Sequence, residues 1–473
     1  MDLDKFDNVM KTLVDYAFDE TMFDDDAYNI ARLCLMDSLG CAIAASQDKD
    51  CINLLNSYRF SKNTNGIKII GSDEQLGPIE AAFHIGSMIR WLEFNDTWLA
   101  QEWGHPSDNL GAILAAAAWK SQQDASPIRM KDVLTLMIRT YEIHGILCLT
   151  NCFNTLGIDH VVLVKVASSI AASKLLGLSK EQTLNALSNS LIDGHPLRTY
   201  RHAPNAGTRK SWAAGDATSR GLQFAIFAQT GEMGYPTALT AKKWGVNDSL
   251  LQGSDFNISR PLSDFVIKNI LFKVPNPAEY HAQTAIEAAL RIRDRMIQAG
   301  LSEKDIEYVR VETQRPAMQI IDKVGPLRNP ADRDHCMQYM VAVALYSGNL
   351  TIQDFHEPMA SNVDVQLLRE KITCHERTQF TESYYDPDKM AIPNALSIKC
   401  INGKGEFYEQ IEFPLGHINR RTECLPALKQ KFCLNLSESH LTNKADILTE
   451  VITSSSKLDN MTINEFLSLF AVI

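Results

Sequence analysis

A mainly α fold with two domains is predicted by three features of this 473-residue chain. Small and apolar residues recur at helical spacing from the start to about residue 268. Between about 269 and 413 one helical stretch is followed by strand-like alternation and a hairpin signal. Helical texture then returns from 414 to 473. The expected architecture is a large all-helical domain formed by both chain ends, 1–268 and 414–473, with a smaller α+β domain, 269–413, inserted.

The elements follow in order. Asp26 to Ser46 is rich in Ala, Leu, Ile and Cys and reads as a helix. Ser107 is expected to cap a helix through GAILAAAAWKSQ. Val161 to Leu176 is stopped by Gly177, and Ser179 to Gln182 forms a capping box for the next helix. In the inserted region, Ala282, Ala285, Ile286, Ala289 and Leu290 share one helix face, and Gly300 ends that helix. IEYVRVET (306–313) alternates like a strand. NALSIKCI and KGEFYEQIEF flank Asn402-Gly403, a strong hairpin signal.

Composition narrows the function. Apolar residues make up 45% and charged residues 22%, which fits neither a disordered nor a fibrous chain. A net charge of −11 makes a nucleic-acid partner unexpected. The acidic N-terminus resembles neither a signal nor a transit peptide, and no apolar run approaches the roughly 18 residues of a membrane span. The expectation is a cytoplasmic protein with no membrane partner. Ten scattered cysteines show no C-x-x-C spacing, so no metal site is expected and the thiols read as small buried hydrophobes. Walker A, G-x-G-x-x-G, H-E-x-x-H and G-x-S-x-G patterns are absent.

Two segments carry candidate chemistry. The 22 residues between Asp193 and Asp216 contain no carboxylate but hold Arg198, Arg201, Arg209, Lys210, His195 and His202. Fixed cations on a loop suit a small polycarboxylate, because arginine grips a carboxylate with two parallel bonds. A solvated basic loop or a subunit contact is the alternative. The segment 90–109 sets Glu93, Asp96, Thr97, Glu102, His105 and Asp108 among Trp and Phe. Acids beside aromatics tend toward raised pKa values, which general acid–base catalysis uses. A capped helix start with a structural histidine is the alternative. His160, His281 and His335 each stand near a helix start.

At these same segments the sequence resembles the MmgE/PrpD family. The stretches that carry the resemblance are LCLMDSLGCAIAA, IRWLEFNDTWLAQEWGHPSDNLG, GIDHVVLVKVAS, LRTYRHAPNAGTRKSWAAGDATSRG, TGEMGYPTALT, FKVPNPAEYHAQTA and GPLRNPADRDHCMQYMVA. They span nearly the whole chain. The resemblance implies a cofactor-free hydro-lyase that dehydrates the tricarboxylate 2-methylcitrate in propionate breakdown. It also implies a helical domain, an α+β lid, an active site between the two, and a homodimer. Matched residue by residue, it implies catalytic roles for Glu93, Asp96, Thr97, His105, His160, Lys210 and His281. His335 and Tyr339 match a further family segment and join Arg198, Arg201 and Arg209 as substrate-binding candidates. Two positions depart from the family pattern: Glu93 stands where Asp is usual, and Asn276 where an aromatic is usual. Asp96 or Glu93, and His105 or His160, are the candidate base and acid, in no assigned order. A decarboxylase of cis-aconitate is the same-family alternative. A helical scaffold that docks a partner through the basic loop is the non-enzymatic one.

Overall fold

The computed structural model describes residues 3–59, 65–124, 126–202, 204–386 and 389–471. The chain divides into two compact units. The first comprises Met1–His202, Arg209–Ile270 and Lys429–Ile473; the second comprises Ala203–Thr208 and Leu271–Leu428. One junction falls beside the texture change near 268. The other falls inside the helix Arg421–Leu436, beyond 414, where the strand texture ends. A helix that serves both units leaves no compositional mark at the point of division.

The first unit is built on long helices, among them Asp25–Ala45, Pro78–Trp91, Leu110–Gln123, Met130–Thr150, Val161–Leu175 and Arg209–Gln229. It is not wholly helical. Ile67–Lys68 (β1) and Gln75–Leu76 (β2) form a small antiparallel pair. Two residues per strand are too few to show an alternating period. The capping box at Ser179 and Gln182 is present. The cap expected from Ser107 is not. Its hydroxyl donates instead to the Asp96 carboxylate at 2.7 Å, and a short 3₁₀ turn, Pro106–Asn109, leads into the helix. Ser107 lies within that turn, ahead of the helix start at Leu110, and is not at the capping position. The expectation that no segment could span a membrane also needs correction. Met130–Thr150 is long and apolar enough by length and composition, although charged residues punctuate it. Its apolar window is 83% buried inside the structure, as in a core helix.

Helices Pro78–Trp91 and Arg209–Gln229 touch backbone to backbone. A Cβ on Gly215 would lie 2.5 Å from the Phe83 carbonyl oxygen and 2.8 Å from the Ser87 nitrogen. The Ser211 hydroxyl donates to the Trp91 carbonyl at 3.1 Å. The glycine contact therefore seats the first turn of one helix, which carries Lys210, against the end of the other, which delivers Glu93.

The second unit packs the helix Gln283–Gln298 on a four-stranded sheet. Ile306–Thr313 (β3), Ile372–Glu376 (β4), Asn394–Cys400 (β5) and Glu406–Ile411 (β6) lie in the order β4-β3-β5-β6. β5 and β6 form the expected hairpin, with Asn402 at φ 56° and Gly403 at φ 67°. Ala285, Ile286 and Ala289 face Val309, Val311, Leu396 and Ile398 in one core.

Gly215→Ala should lower stability by about 1–3 kcal/mol, because the added methyl meets backbone that cannot move aside. Thermal melting checks this. An unchanged Tm would mean that the two helices part without strain.

Candidate active site

The helix Pro78–Trp91 ends at Leu92, and Glu93 follows with φ 54°. Glycine is the usual residue in that left-handed position, so a glutamate there carries strain of about 1–2 kcal/mol. The turn folds the carboxylate back onto Arg90, whose Nη1 lies 2.5 Å from Glu93 Oε2. The other oxygen, Oε1, lies 3.9 Å from His105 Nε2.

A short loop brings His105 back to this point. Trp98 and Gly104 bridge antiparallel, Thr97 Oγ1 donates to the Gly104 carbonyl at 3.4 Å, and the Trp98 indole donates to the Gly145 carbonyl. His105 Nδ1 donates to the Asp96 carbonyl at 2.6 Å, which puts the lone pair of the neutral ring on Nε2. The Asp96 side chain is wholly buried. One oxygen accepts from Ser107, and the other from the Tyr141 hydroxyl at 2.6 Å. Asp96 thus sits behind His105, with both oxygens engaged.

His160 opens the helix Val161–Leu175, and its ring centroid lies 5.8 Å from that of His105. Beside it, Asp159 is 0% exposed and gathers three positively charged or chargeable groups. Arg201 bonds it through Nε and, at 3.0 Å, through Nη2. Arg198 Nη1 lies 3.8 Å away and His160 Nδ1 3.4 Å away. Against the desolvation of burial, Arg201 and, more weakly, Arg198 hold the Asp159 carboxyl well below the usual carboxylate range. Burial pushes His160 far below its ordinary pKa, and the neighbouring arginines reinforce this over Asp159, so the ring is neutral. Its Nε2 is buried with no hydrogen-bond partner among the described residues, as are Arg198 Nε and Nη1. The Arg198 guanidinium also stands over the Trp103 ring.

The remaining candidates are distributed as follows. Lys210 is buried in the first turn of Arg209–Gln229. Arg209 is about one-third exposed, stacks on Trp212 and Tyr200, and lies 3.5 Å from Asp216. In the second unit, His281 Nδ1 meets Glu279 Oε1 at 2.8 Å and its Nε2 meets the Tyr384 hydroxyl at 3.2 Å. His335 Nδ1 meets Asp334 at 2.6 Å. Tyr339 is buried, and its hydroxyl donates to the Asp354 carbonyl. Among the described residues no group of three or more His, Cys, Asp or Glu is placed to share a metal ion.

The first unit therefore joins Glu93, Asp96, His105, His160, Arg198 and Arg201 in one buried cluster. Arg90, Asp159 and Tyr141 complete it, and the sequence reading had given them no role. Arg90 and Asp159 adjoin recognised motifs and could have been found there. Tyr141 lies in an ordinary apolar helix and carries no local signal. Burial raises three carboxyls of the 90–109 segment: Asp96 to about 6, Glu102 to about 7 and Asp108 to about 8.

Comparison with known proteins gives a consistent picture. The family model described as MmgE/PrpD N-terminal domain matches residues 11–259, and that of the MmgE/PrpD C-terminal domain matches 277–456. A 2-methylcitrate dehydratase of Escherichia coli K12 is 47% identical, over 99% of this chain and 98% of its own. One from Cupriavidus necator is also 47% identical, over 98% and 97%. A mitochondrial 2-methylcitrate dehydratase of Yarrowia lipolytica is 44% identical, over 98% and 90%.

The raised carboxyl pKa values make stability depend on pH. The folded protein holds these protons more tightly than the unfolded chain does. The resulting stabilisation is complete below about pH 4 and is lost as the pH rises toward about 8. Asp108→Asn, which mimics the protonated acid, should therefore gain on the parent by a few degrees of Tm between about pH 5 and about pH 8. Parallel melting curves across that range would mean Asp108 is ionised throughout.

Proposed function

The chain belongs to the MmgE/PrpD family, and we propose that it is a hydro-lyase converting 2-methylcitrate to 2-methyl-cis-aconitate. The observation that carries this reading is the match along almost the full length to curated enzymes of that activity, at 44–47% identity in bacteria and fungi. A cytoplasmic location, expected from the sequence, and a homodimer, as the family resemblance implies, belong to the same reading.

The chemistry needs three functions. A proton must leave a carbon alpha to a carboxylate, hydroxide must leave the adjacent carbon, and the growing negative charge must be held. His105 is the base, since its Nδ1 is fixed by the Asp96 carbonyl and its Nε2 accepts the proton. Glu93, 3.9 Å away, stabilises the imidazolium that forms. Arg198 and Lys210 grip substrate carboxylates, with Arg201 held in place by Asp159. A triply charged substrate opposes the burial that keeps His160 neutral. Binding thus favours a proton on its Nε2, which passes to the departing hydroxide, and water leaves.

Incubating the purified protein with synthetic 2-methylcitrate, citrate and cis-aconitate, and following the absorbance of the conjugated alkene, tests this directly. Alkene should form from 2-methylcitrate. Itaconate from cis-aconitate, with no turnover of 2-methylcitrate, would replace the dehydration with a decarboxylation. Lys210→Ala should abolish turnover and leave the fold intact, as circular dichroism would report; full activity would remove its role as a grip. His105→Gln should lower kcat by about 10²–10⁴-fold with KM nearly unchanged. A change in KM alone would make His105 a binding residue.

A further inference from the structure

The Glu93 turn is held from a part of the chain that no motif marks. Lys431 lies in the helix Arg421–Leu436, within the part that belongs to the first unit. Its side chain is 3% exposed. Its Nζ donates to the Phe94 carbonyl at 2.5 Å and stands 3.8 Å over the centre of the Phe94 ring. The same nitrogen lies 2.6 Å from Asp37 Oδ1, on the helix Asp25–Ala45. Next to this pair, Gly40 admits the Phe432 ring, which a Cβ at that glycine would meet at 2.9 Å. The helix Arg421–Leu436 is thus seated tightly enough to fix the lysine.

The carbonyl it holds belongs to the residue after Glu93. On the other side of Glu93 the Ser211 hydroxyl holds the Trp91 carbonyl. Glu93 itself is in the left-handed region, where a side chain with a Cβ does not rest unaided. Pinning a left-handed residue on both flanks fixes its Cα–Cβ direction, from which the Glu93 carboxylate reaches Arg90 and His105. A buried lysine–carboxylate pair is an expensive way to join two helices, since an apolar pair would do it as well or better. The extra bond to the Phe94 carbonyl is what an apolar pair could not make.

We propose that Lys431 is a positioning residue for the reaction: through the Phe94 carbonyl it sets the Glu93 carboxylate against His105, with Asp37 as its buried counter-charge. The proposal rests on the dehydration reading. If the parent protein turns over no tricarboxylate, that reading fails by itself. The position of Lys431 is judged only by variants compared with an active parent.

Lys431→Met alone would take a cation away from the buried Asp37 carboxylate and could unfold the unit, so the comparison is made in the Asp37→Asn background. Asp37→Asn alone leaves the lysine on the Phe94 carbonyl; losing its counter-charge should lower Tm, while the folded protein retains kcat within about threefold. Asp37→Asn/Lys431→Met and Asp37→Asn/Lys431→Gln should melt near the single variant yet lose a further tenfold or more in kcat, with KM within about threefold. Misplacement of a catalytic group by an ångström has effects of about this size or larger. A folded double variant with the kcat of Asp37→Asn would overturn the proposal. So would a loss expressed only in KM. Failure of both double variants to fold would make Lys431 a folding residue and overturn its assignment as a positioning one.

Discussion

One carboxylate without solvent contact organises the cluster. Asp159 draws Arg201 into a two-point grip and keeps Arg198 and His160 within 4 Å. Two guanidinium groups against one carboxylate leave a positive surplus, and burial denies it the water that would screen it. This is how a chain of net charge −11 comes to hold a site suited to an anion. Removing the Asp159 charge would take from Arg201 and Arg198 their nearest counter-ion, a change that destabilises by about 3–5 kcal/mol in comparable pairs. The same group thus holds the fold locally and, on the proposed function, sets where a substrate carboxylate would go.

The three raised carboxyls complement this arrangement. Their order follows the hydrogen bonds each one receives. Asp96 accepts from Tyr141 and from both the hydroxyl and the backbone nitrogen of Ser107, and reaches only about 6. Glu102 accepts from the Asn154 nitrogen at 2.7 Å and reaches about 7. Asp108 accepts a 3.3 Å contact from the Asn95 amide on one oxygen, its other oxygen has no hydrogen bond among the described residues, and it reaches about 8. Burial is the largest cause in all three; the donors set Asp96 below Asp108, and Glu102 starts from the higher ordinary value of a glutamate. The raised pKa values favour the neutral acid at Asp108 most and lessen the negative charge around the cluster.

Much of this was legible in the sequence where the signal was local. The capping box at Ser179, the Asn402-Gly403 hairpin and the helix after His281 each depend on a few adjacent residues, and each formed as expected. The crowding of acids and aromatics in 90–109 correctly indicated raised carboxyl pKa values. What escaped were interactions fixed only in three dimensions. Ser107 was read as a cap because the sequence around it says nothing of where Asp96 lies. β4 pairs in parallel with β3 across a long connection, and its five residues carry no turn signal. Tyr141 reaches Asp96 across 45 residues and Lys431 reaches Phe94 across 337. No periodicity predicts such partners. The family resemblance supplied the candidate residues, and the geometry adds what each of them touches.

The glutamate at position 93 shows how sequence and geometry constrain one another. Relative to an aspartate, its extra methylene carries the carboxylate farther from a backbone that is already strained. The added reach lets one oxygen fold back to Arg90 in the last turn of the preceding helix while the other faces His105. A shorter side chain on the same left-handed residue would have to give up one of these two contacts or shift the turn. The turn is held at Trp91 by Ser211 and at Phe94 by Lys431, so it has little freedom to shift. The longer acid and the pinned backbone are therefore a matched pair, and either one changed alone would move the carboxylate off His105.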